Sequence, residues 1–230
     1  MDFTGRVILI TGASKGIGEC LADILSKYGA NVIGVYNTTK IKDKRFDTYK
    51  CDISKEKDIK KLMHYIKDNY GKIDVLVNCA ALSLDNDIYE KTKDEFMKVL
   101  EVNLVGTFLM CKYASLLMNN GVVINITSTN AEDTYNPISM DYDASKAGLE
   151  NLTKNLALRF PNLKVCAISP NWVDTETILN MDKNYLENEM KRVGQKELIS
   201  KEHVAIKIIE TIVNTDIVSG DIIRVVSNNE

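Results

Sequence analysis

The sequence has little with which to build a disulfide framework or a metal knuckle. Its five cysteines, at positions 20, 51, 79, 111 and 166, form no CxxC pair and leave an odd count, which points to a reducing compartment and to no metal site. A basic excess is missing too. The formal net charge is -3 and the pI near 5.6, with Lys and Arg spread along the chain, so nucleic acid is not an expected partner: binding a phosphate backbone draws on clustered cations. Only 3 prolines and no low-complexity tract interrupt the chain, so residues 1–230 are expected to form a single domain. No uninterrupted apolar run reaches the about 18 residues of a membrane span. The first such run starts at Val7, too early for a signal peptide to precede it. The expectation is a cytoplasmic chain without a membrane partner.

What is present is alternation. Short β-branched runs at 7–10, 32–36, 75–77, 122–126, 165–168 and 222–226 are apolar almost throughout, which means burial on both faces and hence a parallel sheet. A further strand is expected at 48–51. Between them, helix candidates of about 3.6-residue period cover 16–28, 55–69, 92–118, 142–159 and 201–213. Strand and helix in turn predict an α/β, doubly wound parallel sheet with helices on both faces. The polar stretch 38–48 reads as a loop. The stretch 176–195 is polar, carries methionine and lacks a period; following a strand's carboxyl end, it is expected to be a substrate lid.

Directly after the first strand the chain reads Thr11-Gly12-Ala13-Ser14-Lys15-Gly16-Ile17-Gly18 and then becomes helical. Gly12 suits a tight turn, Gly16 removes a Cβ where a pyrophosphate must approach, and Gly18 lets the helix pack against the sheet. The amides of Ser14, Lys15, Gly16 and Ile17 would face the phosphates, which makes the domain Rossmann-type. At the end of the second strand, Tyr36-Asn37-Thr38-Thr39-Lys40 offers no carboxylate to a ribose. Lys15, Lys40 and the hydroxyls favour a 2′-phosphate, hence NADP(H) over NAD(H).

A second constellation lies in Tyr142-Asp143-Ala144-Ser145-Lys146. Tyr and Lys four apart share one helix face. Tyrosine titrates near about 10, and an ammonium and an oxidised nicotinamide close by favour the phenolate, while reduction uses the same group as an acid. Upstream, Thr127-Ser128-Thr129 puts hydroxyls at a strand's carboxyl end, where open α/β sheets bind ligands.

With TGxxxGxG at one end and YxxxK at the other, the chain resembles the short-chain dehydrogenase/reductase family over nearly its whole length, in style most like 3-oxoacyl-acyl-carrier-protein reductases. The resemblance implies Asn103, Ser128, Tyr142 and Lys146 as the catalytic set. Ser128 would hold the substrate carbonyl, Tyr142 would donate the proton, and Asn103 would hold a water that links Lys146 to solvent. It also implies that Asp52 and Ile53 meet the adenine, with a helix cap as the other reading of Asp52. Asn78 is carried over from an Asn-Asn-Ala-Gly motif that reads Asn78-Cys79-Ala80-Ala81 here. Val173 and Thr175 would hold the nicotinamide carboxamide, in a motif where Asn171 stands for a glycine and tolerates positive φ. The implied reaction interconverts a small ketone and a secondary alcohol. Ser83, Leu84, Asp133, Tyr135, Trp172, Ile178 and Met181 are candidate pocket walls, and a homodimer or homotetramer is expected. A nucleotide-sensing regulator on the same fold is the alternative.

Overall fold

The computed structural model describes residues 1–41 and 45–228; residues 42–44 of the expected 38–48 loop lie outside the described residues. One seven-stranded sheet organises the domain, ordered β3-β2-β1-β4-β5-β6-β7 with every neighbouring pair parallel. Its strands are β1 (Val7–Thr11), β2 (Asn31–Tyr36), β3 (Asp47–Lys50), β4 (Val75–Asn78), β5 (Gly121–Ile126), β6 (Leu163–Pro170) and β7 (Ile222–Val225). All residues of β1 and β4 are buried, as their apolar runs require.

Alternate residues of each strand feed two cores. Ile8, Ile10, Val77, Ile124 and Ile168 point toward α1 (Gly16–Lys27) and α8 (Lys201–Val213), where Leu21, Leu25, Val204 and Ile208 meet them. Val7, Leu9, Leu76, Val123 and Val165 point the other way, to Leu62 and Ile66 of α2 (Glu56–Tyr70), Met110 of α4 (Thr107–Ala114) and Leu156 of α5 (Met140–Arg159). Strand order reverses between β1 and β4. Helices leaving those two strands go to different places, so a crevice opens at their carboxyl ends.

Two expectations change in detail. The helix expected over 92–118 starts on a Thr92–Glu95 capping box, runs as α3 (Lys93–Leu100), widens into a π-helical turn at Glu101–Gly106 and continues as α4. By length and composition Lys93–Leu117 could cross a membrane, which a count of uninterrupted apolar runs passes over because Glu101 and Lys112 break it. Val99, Met110, Cys111 and Ala114 are nevertheless buried core residues. The stretch 176–195 holds two helices, α6 (Glu176–Leu179) and α7 (Lys183–Arg192), the second capped by Asp182, whose carboxylate accepts from Tyr185 N at 2.9 Å. None of the α7 residues is buried, which is why no apolar period marks it.

Candidate active site

A cavity of about 680 Å³ follows the carboxyl edge of the sheet, within the size of small-molecule sites. Gly12, Ser14, Lys15, Gly16 and Ile17 line its middle, Asn37, Thr38, Asp52 and Ile53 one end, and Ser128, Tyr142, Lys146, Val173 and Thr175 the other. Gly18, Asn78 and Asn103, also expected at the site, are not on its wall.

The turn after β1 is built from steric necessity. Gly12 and Gly16 have φ of 70° and 61°, the left-handed region that disfavours side chains. A Cβ on Gly12 would lie 2.8 Å from Ala80 N, and one on Gly18 would lie 2.5 Å from Gly12 O. Gly18 therefore acts behind the wall, letting α1 close on the turn. Thr11 ties the same turn to the end of β4: its Oγ1 accepts from Cys79 N and Ala80 N, both at 3.1 Å. Sequence reading missed that role, although the Thr heads the motif.

Asp52 is not the cap of α2, whose N-cap is Lys55 without a side-chain bond. It lines the cavity, and its Oδ1 accepts from Ser54 N at 3.1 Å and Ser54 Oγ at 2.7 Å, turning the chain into α2. Burial pushes its carboxyl up, but Ser54 and Lys55 together hold it below the usual range. Asn78 turns into the core instead: its Nδ2 donates to Asn125 Oδ1 at 2.9 Å and to Cys111 Sγ at 3.3 Å. β4 pairs with β5 there, with Asn78 opposite Asn125 in register.

At the other end α5 begins at Met140, so Tyr142 and Lys146 stand one turn apart on its cavity face. Lys146 Nζ donates to Ile126 O at 2.7 Å and sits 5.4 Å from the centre of the Tyr142 ring. Burial lowers its pKa to about 8. Burial also raises Tyr142 to about 12, against the hydrogen bond from Ser128, with Asp143, Asp85 and Cys79 adding to the rise. In the protein without its cofactor, desolvation thus favours the neutral Tyr142 hydroxyl, the form that serves as an acid; the expected phenolate draws also on an oxidised nicotinamide.

Asn103 stands one layer back, fully buried. Its Oδ1 accepts from Leu82 N at 2.8 Å, and its Nδ2 donates to Leu82 O at 2.9 Å and Ser145 Oγ at 3.0 Å. Its main-chain carbonyl accepts from Thr107 Oγ1 at 2.9 Å. It clamps the segment after β4, at Leu82, to α5. Asp143 does the same for the loop after β5, accepting from Asn136 N at 2.7 Å, Asn130 Nδ2 at 2.8 Å and Ser139 Oγ at 3.2 Å. No sequence signal distinguished Asp143 from a first-turn helix acid.

With this geometry in place, likeness to known proteins carries information. Residues 6–186 match the short chain dehydrogenase family. The chain belongs to that family. It is 29% identical to glucose 1-dehydrogenase 2 of Bacillus subtilis over 223 residues, 89% of this chain and 86% of that one. It is likewise 29% identical to the 3-oxoacyl-[acyl-carrier-protein] reductase of Thermotoga maritima over 221 residues, 89% of each. A short chain dehydrogenase from Burkholderia cenocepacia solved in complex with NADP superimposes with a TM-score of 0.89 at 21% identity, covering 100% of both chains, which shows the shared fold. A short-chain dehydrogenase is an oxidoreductase that acts on CH–OH groups of small molecules with NAD(P).

The short-chain dehydrogenase site here fits a dinucleotide: two left-handed glycines keep the turn narrow, and the Gly16 amide already donates to an anion, Glu176 Oε2, at 3.0 Å. Departures from the family pattern have local explanations. Among the described residues no non-glycine has positive φ, so the bend at Asn171 needs no left-handed backbone; its amide pairs with Val225 O at 3.0 Å. Gln195 then clamps Trp172 from both sides, its Oε1 accepting from Trp172 N at 3.0 Å and its Nε2 donating to Trp172 O at 2.8 Å. Ser83, Trp172, Ile178 and Met181 line the cavity as expected. Leu84, Asp133 and Tyr135 do not. Leu84 O is taken by Lys91 Nζ, Asp133 pairs with Arg224 at 3.0 Å, and Tyr135 is 64% exposed. Lys40 also lies off the wall, whereas Lys15 is on it, donating to Thr177 Oγ1 at 2.9 Å.

Proposed function

We propose that this short-chain dehydrogenase is an NADP(H)-dependent carbonyl reductase that interconverts a small ketone and a secondary alcohol in the cytoplasm. The observation that carries this reading is the meeting of Ser128, Tyr142 and Lys146 at one end of a cavity whose other end reaches Asn37 and Thr38. The bound nicotinamide would supply the hydride. Ser128 Oγ holds the substrate oxygen, the neutral Tyr142 hydroxyl gives it a proton as charge develops, and the Lys146 ammonium beside Tyr142 offsets the charge left on the phenol. Gly12, Ser14, Lys15, Gly16 and Ile17 receive the pyrophosphate on the α1 amides, Gly18 supports them from behind, and Asn78 holds β4 in register beneath. Asp52 and Ile53 flank the adenine; Val173 and Thr175 face the carboxamide.

Preference for NADP(H) is supported by a smaller recess of about 380 Å³ that shares Asn37 and Asp52 with the main cavity and is also lined by Asp58, Lys50, Lys55 and Lys61, with Lys55 paired to Asp52 at 3.3 Å and Lys61 to Asp58 at 3.9 Å. Cations at the ribose end suit a 2′-phosphate. On the substrate side Ser83, Asp85, Asn130, Asn136 and Ser139 make a polar and partly acidic wall, which supports a neutral, hydroxyl-bearing carbonyl compound over an anionic one. Apolar side chains exposed along one helix, Met97, Val105 and Phe108, at 42%, 44% and 42%, support a homodimer or homotetramer.

The test is Tyr142→Phe, which removes the proton and little volume. Reduction of carbonyl compounds should fall by about 10²–10⁴-fold while cofactor binding persists; undiminished turnover overturns the reading.

A further inference from the structure

The root of α6 is seated in the glycine-rich turn, 160 residues away in sequence. Glu176 Oε2 accepts from Gly16 N at 3.0 Å, and Glu176 Oε1 accepts from Lys201 Nζ at 2.9 Å. Beside it, Thr177 Oγ1 accepts from Lys15 Nζ at 2.9 Å. A Cβ on Gly16 would meet Thr175 Cγ2 at 3.1 Å, so the missing side chain is what lets this segment sit so close. Gly16 opens the twelve-residue helix α1, whose first amides carry its partial positive charge and form the phosphate-binding end of such a fold.

We propose that Glu176 competes with the cofactor's pyrophosphate for the Gly16 amide, so that dinucleotide binding releases the root of the 176–195 segment from the turn. The proposal rests on the dinucleotide reading of the cavity and adds an affinity-setting residue to it. Two anions cannot share one amide donor at hydrogen-bond range without strong repulsion. The Lys201 ammonium beside it keeps Glu176 ionised, so it enters that competition as a full carboxylate. Because apparent affinity scales with the fraction of molecules in the binding-competent arrangement, each molecule latched by Glu176 weakens binding until the pyrophosphate displaces it. Glu176 follows Thr175 directly, so its exchange also moves the residue that flanks the nicotinamide end. Cofactor and substrate ends of the cavity are thereby linked through one short segment.

The experiment compares the wild type with Glu176→Gln, which keeps shape and removes charge, by calorimetric titration with two probes. ADP-ribose contains the pyrophosphate; adenosine 2′,5′-bisphosphate has phosphates but no pyrophosphate bridge. Glu176→Gln should bind ADP-ribose about tenfold tighter, the equivalent of one charge-assisted hydrogen bond, and bind the bisphosphate as the wild type does, with an unchanged melting temperature. Wild-type ADP-ribose binding that the substitution leaves unchanged or weakens overturns the competition and spares the dinucleotide reading. An equal gain for both probes also overturns it, since that reports general charge relief. Failure of both proteins to bind either probe overturns both readings.

Discussion

Lys146 Nζ finds its buried hydrogen-bond acceptor in the Ile126 main-chain carbonyl, 2.7 Å away, and not in a carboxylate. A neutral acceptor leaves burial to dominate, and the lysine's pKa falls to about 8, from about 10.4 in an unfolded chain.

Two pH effects are expected. Reductive turnover, which draws on a charged Lys146 beside a neutral Tyr142, should fall as pH rises through about 8, while oxidation of the alcohol should gain. Between about 8 and the unfolded value of about 10.4 the unfolded chain binds more protons at this site than the folded one, so its contribution to stability rises with pH across that window. Steady-state rates in both directions, and denaturation midpoints of wild type against Lys146→Met, check the two parts; a flat reductive profile from pH 7 to 9.5 contradicts the first.

Asn103→Ala should cost on the order of 2–3 kcal/mol, because the amide and carbonyl of Leu82 lose their partner at a buried position. Denaturant midpoints read the loss. Turnover should fall along with stability, since the same clamp sets the distance between the Leu82 segment and α5.

Gly18→Ala places a methyl group 2.5 Å from Gly12 O, where no rotamer relieves the clash. We expect a stability loss of about 1–3 kcal/mol and weaker binding of both NADPH and NADH, measured by calorimetry. Equal thermal stability with normal binding would show that α1 can back away from the sheet.

Lys50→Ala and Lys15→Ala should each raise the KM for NADPH more than that for NADH, the first through the ribose-end recess and the second through the turn. Equal changes for the two cofactors would count against a 2′-phosphate role for either lysine.

Much of this was legible in the sequence because the relevant physics is local. Val7 to Ile10 and Val75 to Val77 could only be strands buried on both faces, and a four-residue interval could only bring Tyr142 and Lys146 together on a helix. What stayed hidden acts through space. Glu176 on Gly16, Asn103 on Leu82 and Lys50 beside Asn37 join positions whose spacing carries no periodicity, so no pattern along the chain records them. The burial that raises the Tyr142 pKa stayed hidden for a related reason: adjacency of a lysine is visible in sequence, while the degree of desolvation is a property of everything packed around it. Asn171 was read as a substitute for a left-handed glycine, yet the bend there is made without positive φ.

Because every strand runs the same way, all of the chemistry gathers on one edge and the opposite edge is left to connections alone: 28–30, 71–74, 118–120, 160–162 and 214–221. Those five turns form a rim on which a dye, an affinity tag or a tether to a surface could be attached without entering the cavity. Asn162 there reaches only to Asn119 O across the same rim. For engineering, the sheet thus divides the molecule into a face to leave alone and a face on which to work.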